Sequence, residues 1–147
     1  MNSVKIEGRL IEEINLENGL TAQFYDQSRP VVGDRWVARL LVCIPLRIEE
    51  AYLESSDRLA TSYSDFSTAM GGEIDFRCEK VRNFIDRDDV SYILDEMKKE
   101  FLNANLPYIS RPQFPRRYTL KQFRAWEEEQ SRRKLHMEAI DRADRVS

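Results

Sequence analysis

The first half of the chain alternates between apolar and polar residues, which is typical of strands that bury one face. Near the N-terminus, apolar residues fall on even positions, namely Val4, Ile6, Leu10, Ile14 and Leu16, and residues 20–26 keep this phase after Asn18-Gly19. Because an Asn-Gly pair favours the positive φ angles of a type I′ turn, we expect a hairpin here. Residues 27–35 contain a proline and a glycine, and they are predicted to form a turn or short loop.

The strongest strand pattern lies in residues 35–48. The even positions from Trp36 to Ile48 are all apolar, whereas the odd positions are mixed. One face of this strand is therefore expected to lie in the core and the other to be partly covered. Pro45 has no amide hydrogen for a ladder, which predicts a sheet edge, a bulge or a strand end near it.

Apolar residues then recur every three or four positions in residues 57–70, which predicts a helix ended by Gly71-Gly72. Alternation returns in residues 73–84 and predicts a fourth strand. Residues 88–104 carry a single apolar stripe and are predicted to be a helix.

The ends of this helix are predicted from polar residues and a proline. Asp86 or Asp88 is expected to cap its start, and Asn105 with Pro107 is expected to stop it. The sequence therefore predicts an α+β fold, in which an antiparallel sheet of three to four strands packs against helix 88–104. Residues 1–106 are predicted to form this domain.

A second part is predicted in residues 107–147, as a basic, proline-punctuated connector followed by a charged C-terminal helix. Thr119 and Gln122 fit a capping box, and Tyr118 and Phe123 fit a hydrophobic staple. Both patterns place the start of the helix at about residue 119.

Charge is unevenly distributed along the chain, whose net charge is −3. Residues 107–124 hold five bases and no acid, residues 125–147 hold six acids and five bases, and residues 1–106 hold 20 acids and 13 bases. A basic segment beside an acidic body either attracts an external anion or lies against its own domain or a second copy.

Two surfaces are predicted from this second part. An anion-binding surface would bind a nucleotide or nucleic acid through phosphate contacts, with nearby aromatic residues stacking on bases, and would comprise Arg111, Arg116, Arg117, Lys121 and Arg124. An association surface would arise because the C-terminal helix has too few apolar residues to bury itself, and would comprise Phe123, Trp126, Leu135 and Ile140.

Catalytic and metal chemistry finds little support in the residues. His136 is the single histidine and has no visible catalytic partner, and the acids of residues 86–89 lack the spacing of a calcium loop. The chain contains no glycine-rich phosphate loop, and its two cysteines are expected to be buried thiols. We therefore predict no catalytic residue, metal or cofactor, and an enzyme is the less favoured class.

A short segment resembles the DxSxxG motif of cyclic-dinucleotide-binding PilZ domains. It is "DQSRPVVG", residues 26–33, and "RPQFPRR" resembles the arginine-rich approach of that family. Two extra residues separate Ser28 from Gly33, and the arginines follow the motif instead of preceding it. A turn in which Asp26 or Ser28 bonds the backbone is the preferred interpretation.

The N-terminus has no signal-peptide pattern and no stretch is long and apolar enough to span a membrane, so we expect a cytoplasmic protein. The favoured function is a small, non-enzymatic protein-association module that self-associates, with a homodimer or another protein as the partner. The alternative is an anion-binding module, for nucleotide or nucleic acid, that uses the basic segment 107–124.

Overall fold

A computed structural model describes residues 6–53 and 60–146 of the chain. It confirms the predicted α+β fold, with a five-stranded antiparallel sheet and a C-terminal helix. The strands and helices are β1 Arg9–Asn15, β2 Thr21–Asp26, β3 Arg29–Val32, β4 Arg35–Arg47, α1 Ala60–Met70, β5 Glu73–Asp86, α2 Val90–Ile109 and α3 Phe114–Val146.

The chain forms two compact units. Met1–Arg47 with Glu73–Phe114 make the first unit, which contains the sheet and α2, and Ile48–Gly72 with Pro115–Ser147 make the second. The division predicted at residue 106 stays a prediction.

β2 and β3 pair with β4 in one continuous register, from Gln23 opposite Cys43 to Arg29 opposite Val37. The strands therefore follow a meander, in which β1, the interrupted β2–β3 strand, β4 and β5 are neighbours in chain order. The prediction that residues 27–35 form only a turn or loop is wrong, because β3 lies within them. Pairing with β4 outweighs the local turn signals of this segment.

The β1–β2 hairpin forms as predicted, but its turn is of another type. The Gly19 amide donates to the Leu16 carbonyl oxygen at 3.0 Å, and Gly19 has a φ of 91°. Asn18 does not have a positive φ, which excludes the predicted type I′ turn. A type I turn followed by a left-handed glycine gives the same reversal.

The even-numbered side chains of β4 form the core of the first unit, as predicted. Leu40, Val42, Ile44 and Leu46 are at most 2% exposed, and α2 packs on β4 and β5. Phe24 of β2 meets Phe101 of α2 edge to face, with ring centroids 6.1 Å apart. Pairing of β4 with β2 ends at Cys43 and pairing with β5 continues to Arg47, so Pro45 lies outside the β2 ladder.

Helix α2 begins at Val90, close to the predicted start at residue 88, and it extends beyond the predicted end at residue 104. A 3-10 turn over Arg87–Asp89 leads directly into it, and the side chain of Asp86 makes no capping hydrogen bond. Pro107 does not stop the helix, which continues to Ile109. The proline deprives only the Asn103 carbonyl of an amide partner, and Asn103 lies on the exposed side of the helix.

Helix α3 begins at Phe114, five residues before the predicted start at residue 119. Pro115 falls in the first turn, where a missing amide hydrogen costs nothing. The capping-box interpretation is wrong, because Thr119 is buried inside the helix and its hydroxyl donates to the Pro115 carbonyl oxygen at 2.6 Å. The predicted extended connector shrinks to residues 110–113.

Helix α1 ends as predicted, at two glycines in left-handed conformation. Gly71 and Gly72 have φ angles of 71° and 82°, and the Gly72 amide donates to the Ser67 carbonyl oxygen at 2.8 Å. Residues 57–59 of the predicted helix lie outside the described residues.

Candidate functional site

Helix α3 has a covered half and an exposed half. It contains 33 residues, and a helix of this length is about 50 Å long. Thr119 and Phe123 are buried and Trp126 is half-buried, whereas every residue from 130 to 145 is exposed. The exposed half is therefore a long helical surface that is open to solvent.

Aromatic side chains cover the first half of α3. Phe123 meets Tyr63 and Phe66 of α1 edge to face, with centroid distances of 5.3 and 5.5 Å. Trp126 lies 5.7 Å from Phe66. Tyr63 donates a hydrogen bond of 2.9 Å to the Glu49 carbonyl oxygen, and burial raises the pKa of Tyr63 to about 12. Phe123 is therefore packed inside its own unit, and Trp126 is partly packed there.

The remaining residues predicted for association lie in the exposed half. Leu135 and Ile140 are 62% and 43% exposed, and Met137, which the sequence analysis did not select, is 64% exposed. The structure therefore separates the four predicted residues into two that complete a core and two that face solvent.

Four of the five predicted anion-binding residues lie on the first half of α3. Arg116, Arg117, Lys121 and Arg124 are all exposed. The spacing of residues 117, 121 and 124 places them on one side of the helix. The fifth, Arg111, lies in the turn before α3, and its carbonyl oxygen accepts a 2.9 Å hydrogen bond from Asn18.

The aromatic residues expected to stack on bases are only partly available. Phe114 and Phe123 are each 1% exposed. Phe114 packs edge to face against Phe76 and Tyr108, at centroid distances of 5.7 and 5.1 Å. Stacking on these two rings would require the core to open.

A concave surface lies on the face of the sheet that the odd-numbered residues of β4 form. It is a cleft of about 410 Å³ within the first unit, and three of its lining residues are arginines. The lining residues are Ile6, Glu7, Gln27, Arg29, Arg39, Leu41, Arg77 and Glu79.

Strand register brings the arginines of this cleft together. Arg39 and Leu41 lie on β4, Arg77 and Glu79 lie on β5, and Leu41 pairs with Glu79. Arg29 is the first residue of β3, directly after the interruption between β2 and β3. Arg39 and Arg77, which are 38 positions apart in the sequence, therefore lie on the same face of the sheet.

The interruption between β2 and β3 fixes the backbone beneath Arg39. The Arg39 amide donates to the Ser28 hydroxyl oxygen at 3.1 Å, and the Gln27 amide donates to the Arg39 carbonyl oxygen at 2.9 Å. The Ser28 amide donates to the Asp26 carboxylate at 2.9 Å. Asp26 and Ser28 therefore bond the backbone as expected, but the segment is a break between two strands in one register and not the predicted turn.

The N-terminal segment forms one wall of the cleft. The side chain of Gln27 donates to the Glu7 carbonyl oxygen at 2.9 Å. Gly8 has a φ of 103°, and a Cβ atom there would lie 2.6 Å from the Asp26 carbonyl oxygen. Only glycine allows the segment to pass this close to β2.

Arg39 carries an unsatisfied group in this cleft. Its Nε atom is buried and has no hydrogen-bond partner among the described residues. Buried donors of this kind are rare in native structures, and leaving one without a partner costs about 1–3 kcal/mol. The neighbouring Leu41 and Val37 are 3% and 6% exposed, which limits the access of water to the guanidinium stem.

The sequence alone does not reveal the cleft. The one signal was the polar Arg39 on the odd-numbered side of β4, where apolar residues also lie. Arg29 on β3 and Arg77 on β5 can be placed beside Arg39 only when the register of the sheet is known. Among the described residues, no group of three or more His, Cys, Asp or Glu side chains is arranged to hold a metal ion.

None of the described helices has the length and apolar character needed to cross a membrane. Comparison of the chain with protein-family models, with curated proteins and with solved structures gives no match. Function is therefore inferred from the residues themselves.

Proposed function

We propose that the protein is an association module that forms a homodimer through the exposed half of α3. The observation that carries this proposal is the exposure of every residue from 130 to 145, including Met137 and Ile140. Most helical stability in proteins comes from packing of an apolar face, and the exposed half of α3 has no such packing among the described residues. A second copy would supply that packing.

A single stripe runs along this half of the helix. Gln130, Arg133, Met137 and Ile140 follow Trp126 at alternating intervals of four and three residues. This is the spacing of the a and d positions of a coiled coil, with residues 130 and 137 at a and residues 133 and 140 at d. The α1 helix covers the stripe as far as Trp126, which packs on Phe66, and the later positions are exposed.

Charges beside the stripe favour an antiparallel pair. When Met137 of one copy lies against Ile140 of the second, Lys134 lies opposite Asp141 of the second copy. Arg133 of one copy then faces Asp144 of the second copy. The twofold axis repeats each contact, as an isologous dimer requires.

A parallel pair is disfavoured by the same residues. In a parallel coiled coil each position faces its own copy, so Arg133 would lie against Arg133 at the centre of the interface. Like charges at a desolvated contact destabilise it. The antiparallel arrangement replaces this repulsion with opposite charges.

The dimer is expected to be weak. Four side chains, Met137 and Ile140 from each copy, would gain roughly 1.5–3 kcal/mol each on full burial. Association costs at least about 4 kcal/mol in lost freedom of motion, and the helix ends must also be ordered. A dissociation constant of micromolar order or weaker follows.

Sedimentation equilibrium over a wide range of protein concentration tests this proposal. Met137→Asp and Ile140→Asp are each expected to yield a monomer, because a charge would enter the apolar centre of the interface. Leu135→Asp is the matched control, since residue 135 lies on the opposite side of the helix, at an f position. It makes the same chemical change and should leave the dimer intact.

A wild-type chain that stays monomeric at every concentration would overturn the proposal. Equal weakening by Leu135→Asp and Met137→Asp would also contradict it, because the predicted stripe would then not be the interface. Circular dichroism of each variant establishes whether the helix content is preserved.

The alternative function, anion binding by the basic segment, has one observation in its favour. Arg117, Lys121 and Arg124 are exposed on one side of α3, with no acid between residues 107 and 124. Against it stand the buried rings of Phe114 and Phe123. Anion binding is therefore the second candidate function.

A further inference from the structure

We propose that the cleft on the sheet face of the first unit binds a small oxyanion, a phosphate or carboxylate group, through Arg39, Arg29 and Arg77. This site is separate from the proposed dimer helix and does not depend on self-association. It also uses none of the basic residues of the segment 107–124.

The unsatisfied Nε of Arg39 is the first reason. A guanidinium presents its donors in a planar fork that matches two oxygens of a carboxylate or phosphate. In Arg39 one of these donors, Nε, is buried without an acceptor among the described residues. An oxyanion bound to the guanidinium would supply that acceptor after a small movement of the side chain, because Nε is not accessible to solvent in the free protein.

The fixed backbone of Arg39 is the second reason. Its amide and carbonyl groups are both hydrogen-bonded to the segment between β2 and β3, at 3.1 and 2.9 Å. Val37 and Leu41, two positions before and after Arg39 on β4, are both buried. A donor held in this way loses little further conformational freedom when a ligand binds.

The composition of the cleft is the third reason, and it also limits the ligand. Three arginines and two glutamates line it, a formal charge of +1. Arg77 already forms an ion pair with Asp75 at 3.2 Å, so only part of its guanidinium group can bind a ligand. The volume of about 410 Å³ fits a small molecule.

Glu79 sharpens the proposal. It lies on β5 opposite Leu41, within the same lining as Arg39. Its carboxylate would repel an anion bound by the arginines. Glu79→Gln should therefore tighten oxyanion binding several-fold, a result that a purely structural role of the cleft would not produce.

Isothermal titration calorimetry of the full chain tests the site, with inorganic pyrophosphate and malonate as separate probes. We expect saturable binding of at least one probe. Binding of pyrophosphate alone identifies a phosphate ligand, binding of malonate alone identifies a carboxylate ligand, and binding of both supports the shared oxyanion chemistry.

The variants separate this cleft from general attraction to arginines. Arg39→Gln should weaken binding at least tenfold, and Arg47→Gln should change it less than twofold. Arg47 is the matched control, because it is an exposed arginine on the odd-numbered side of the same strand, outside the cleft. If Arg39→Gln does not fold, Arg29→Gln, at an exposed residue of β3, takes its place with the same expected loss.

Absence of binding by both probes at 10 mM, roughly a thousandfold weaker than a typical specific ligand, would overturn the proposal. Equal affinity of the Arg39→Gln and Arg47→Gln variants would overturn it as well. Failure here would leave the dimer proposal untouched, because sedimentation measures that separately.

Discussion

The side-chain amide of Asn18 donates a hydrogen bond of 2.8 Å to the carbonyl oxygen of Ile109, 91 residues away in the chain. The same nitrogen donates to the Arg111 carbonyl oxygen at 2.9 Å, and the side-chain oxygen accepts from the Leu20 amide at 3.1 Å. One residue of the β1–β2 turn therefore satisfies the carbonyl group of Ile109, the last residue of α2, which has no partner within the helix, and it also bonds the turn that follows α2.

Replacement of Asn18 by alanine is expected to lower the free energy of unfolding by about 1–3 kcal/mol, because the part-buried carbonyl group of Ile109 loses its donor. Urea denaturation followed by circular dichroism measures this change. Asn103→Ala is the control, since Asn103 is an exposed residue of α2, and its effect should stay within about 0.5 kcal/mol. Equal effects of the two substitutions would show that the Asn18 contacts contribute nothing.

Hydrogen exchange locates the start of α3. In a helix that begins at Phe114, the amides of Leu120, Lys121 and Gln122 donate to carbonyl groups one turn earlier. In a helix that begins after Thr119, the same three amides would lack partners within the helix. Protection of these amides is expected, and exchange at the rate of an unstructured peptide would restore the predicted start at residue 119.

The start of α3 shows how far sequence patterns lead. A residue type that caps helices also occurs inside them, and Thr119 bonds the Pro115 carbonyl oxygen instead of an amide. The alternation in β4 and the apolar stripe of α2 were sufficient for the fold, because each describes a face of a regular element. The cleft could not be predicted from the sequence, because Arg39 and Arg77 are brought to one face only by the register of β4 and β5.

Cys43 makes stability depend on pH. Burial, together with the nearby charge of Asp75, raises the pKa of Cys43 to about 11 from its ordinary value of 9.0. Between these two values the unfolded chain releases the thiol proton while the folded chain keeps it, so the contribution of Cys43 to stability falls as pH rises. Below pH 9 the contribution is fully present.

The Cys43→Val variant removes this contribution and keeps an apolar side chain of similar size. Its free energy of unfolding should decrease less steeply between pH 9 and 11 than that of the wild type, measured in urea with reductant present. Identical slopes for the two proteins would mean that the Cys43 thiol titrates normally in the folded state.

The basic half of α3 predicts a limited response to nucleic acid. Arg116, Arg117, Lys121 and Arg124 are exposed and can neutralise phosphates, but the acidic remainder of the chain opposes binding. Titration of tryptophan fluorescence with a single-stranded oligonucleotide should show weak binding at low salt that disappears near physiological salt. Tight binding that resists salt would instead establish the anion-binding alternative, and Lys121→Gln with Arg124→Gln would then reduce it.

The most direct measurement of the central claim is a charge exchange between Lys134 and Asp141, read by sedimentation equilibrium. These residues are two helical turns apart in one chain, and they face each other only in an antiparallel dimer. Lys134→Glu or Asp141→Lys alone should weaken the dimer at least tenfold. Arg142→Glu, the same change of charge on the outer side of the helix, should not.

The double variant, Lys134→Glu with Asp141→Lys, restores opposite charges across the proposed interface. We predict that it recovers the dissociation constant of the wild type within about threefold. The exchange keeps one positive and one negative residue at each contact between the two copies, so the attraction is retained. A double variant that dimerises no better than the weaker single variant would contradict antiparallel pairing of α3.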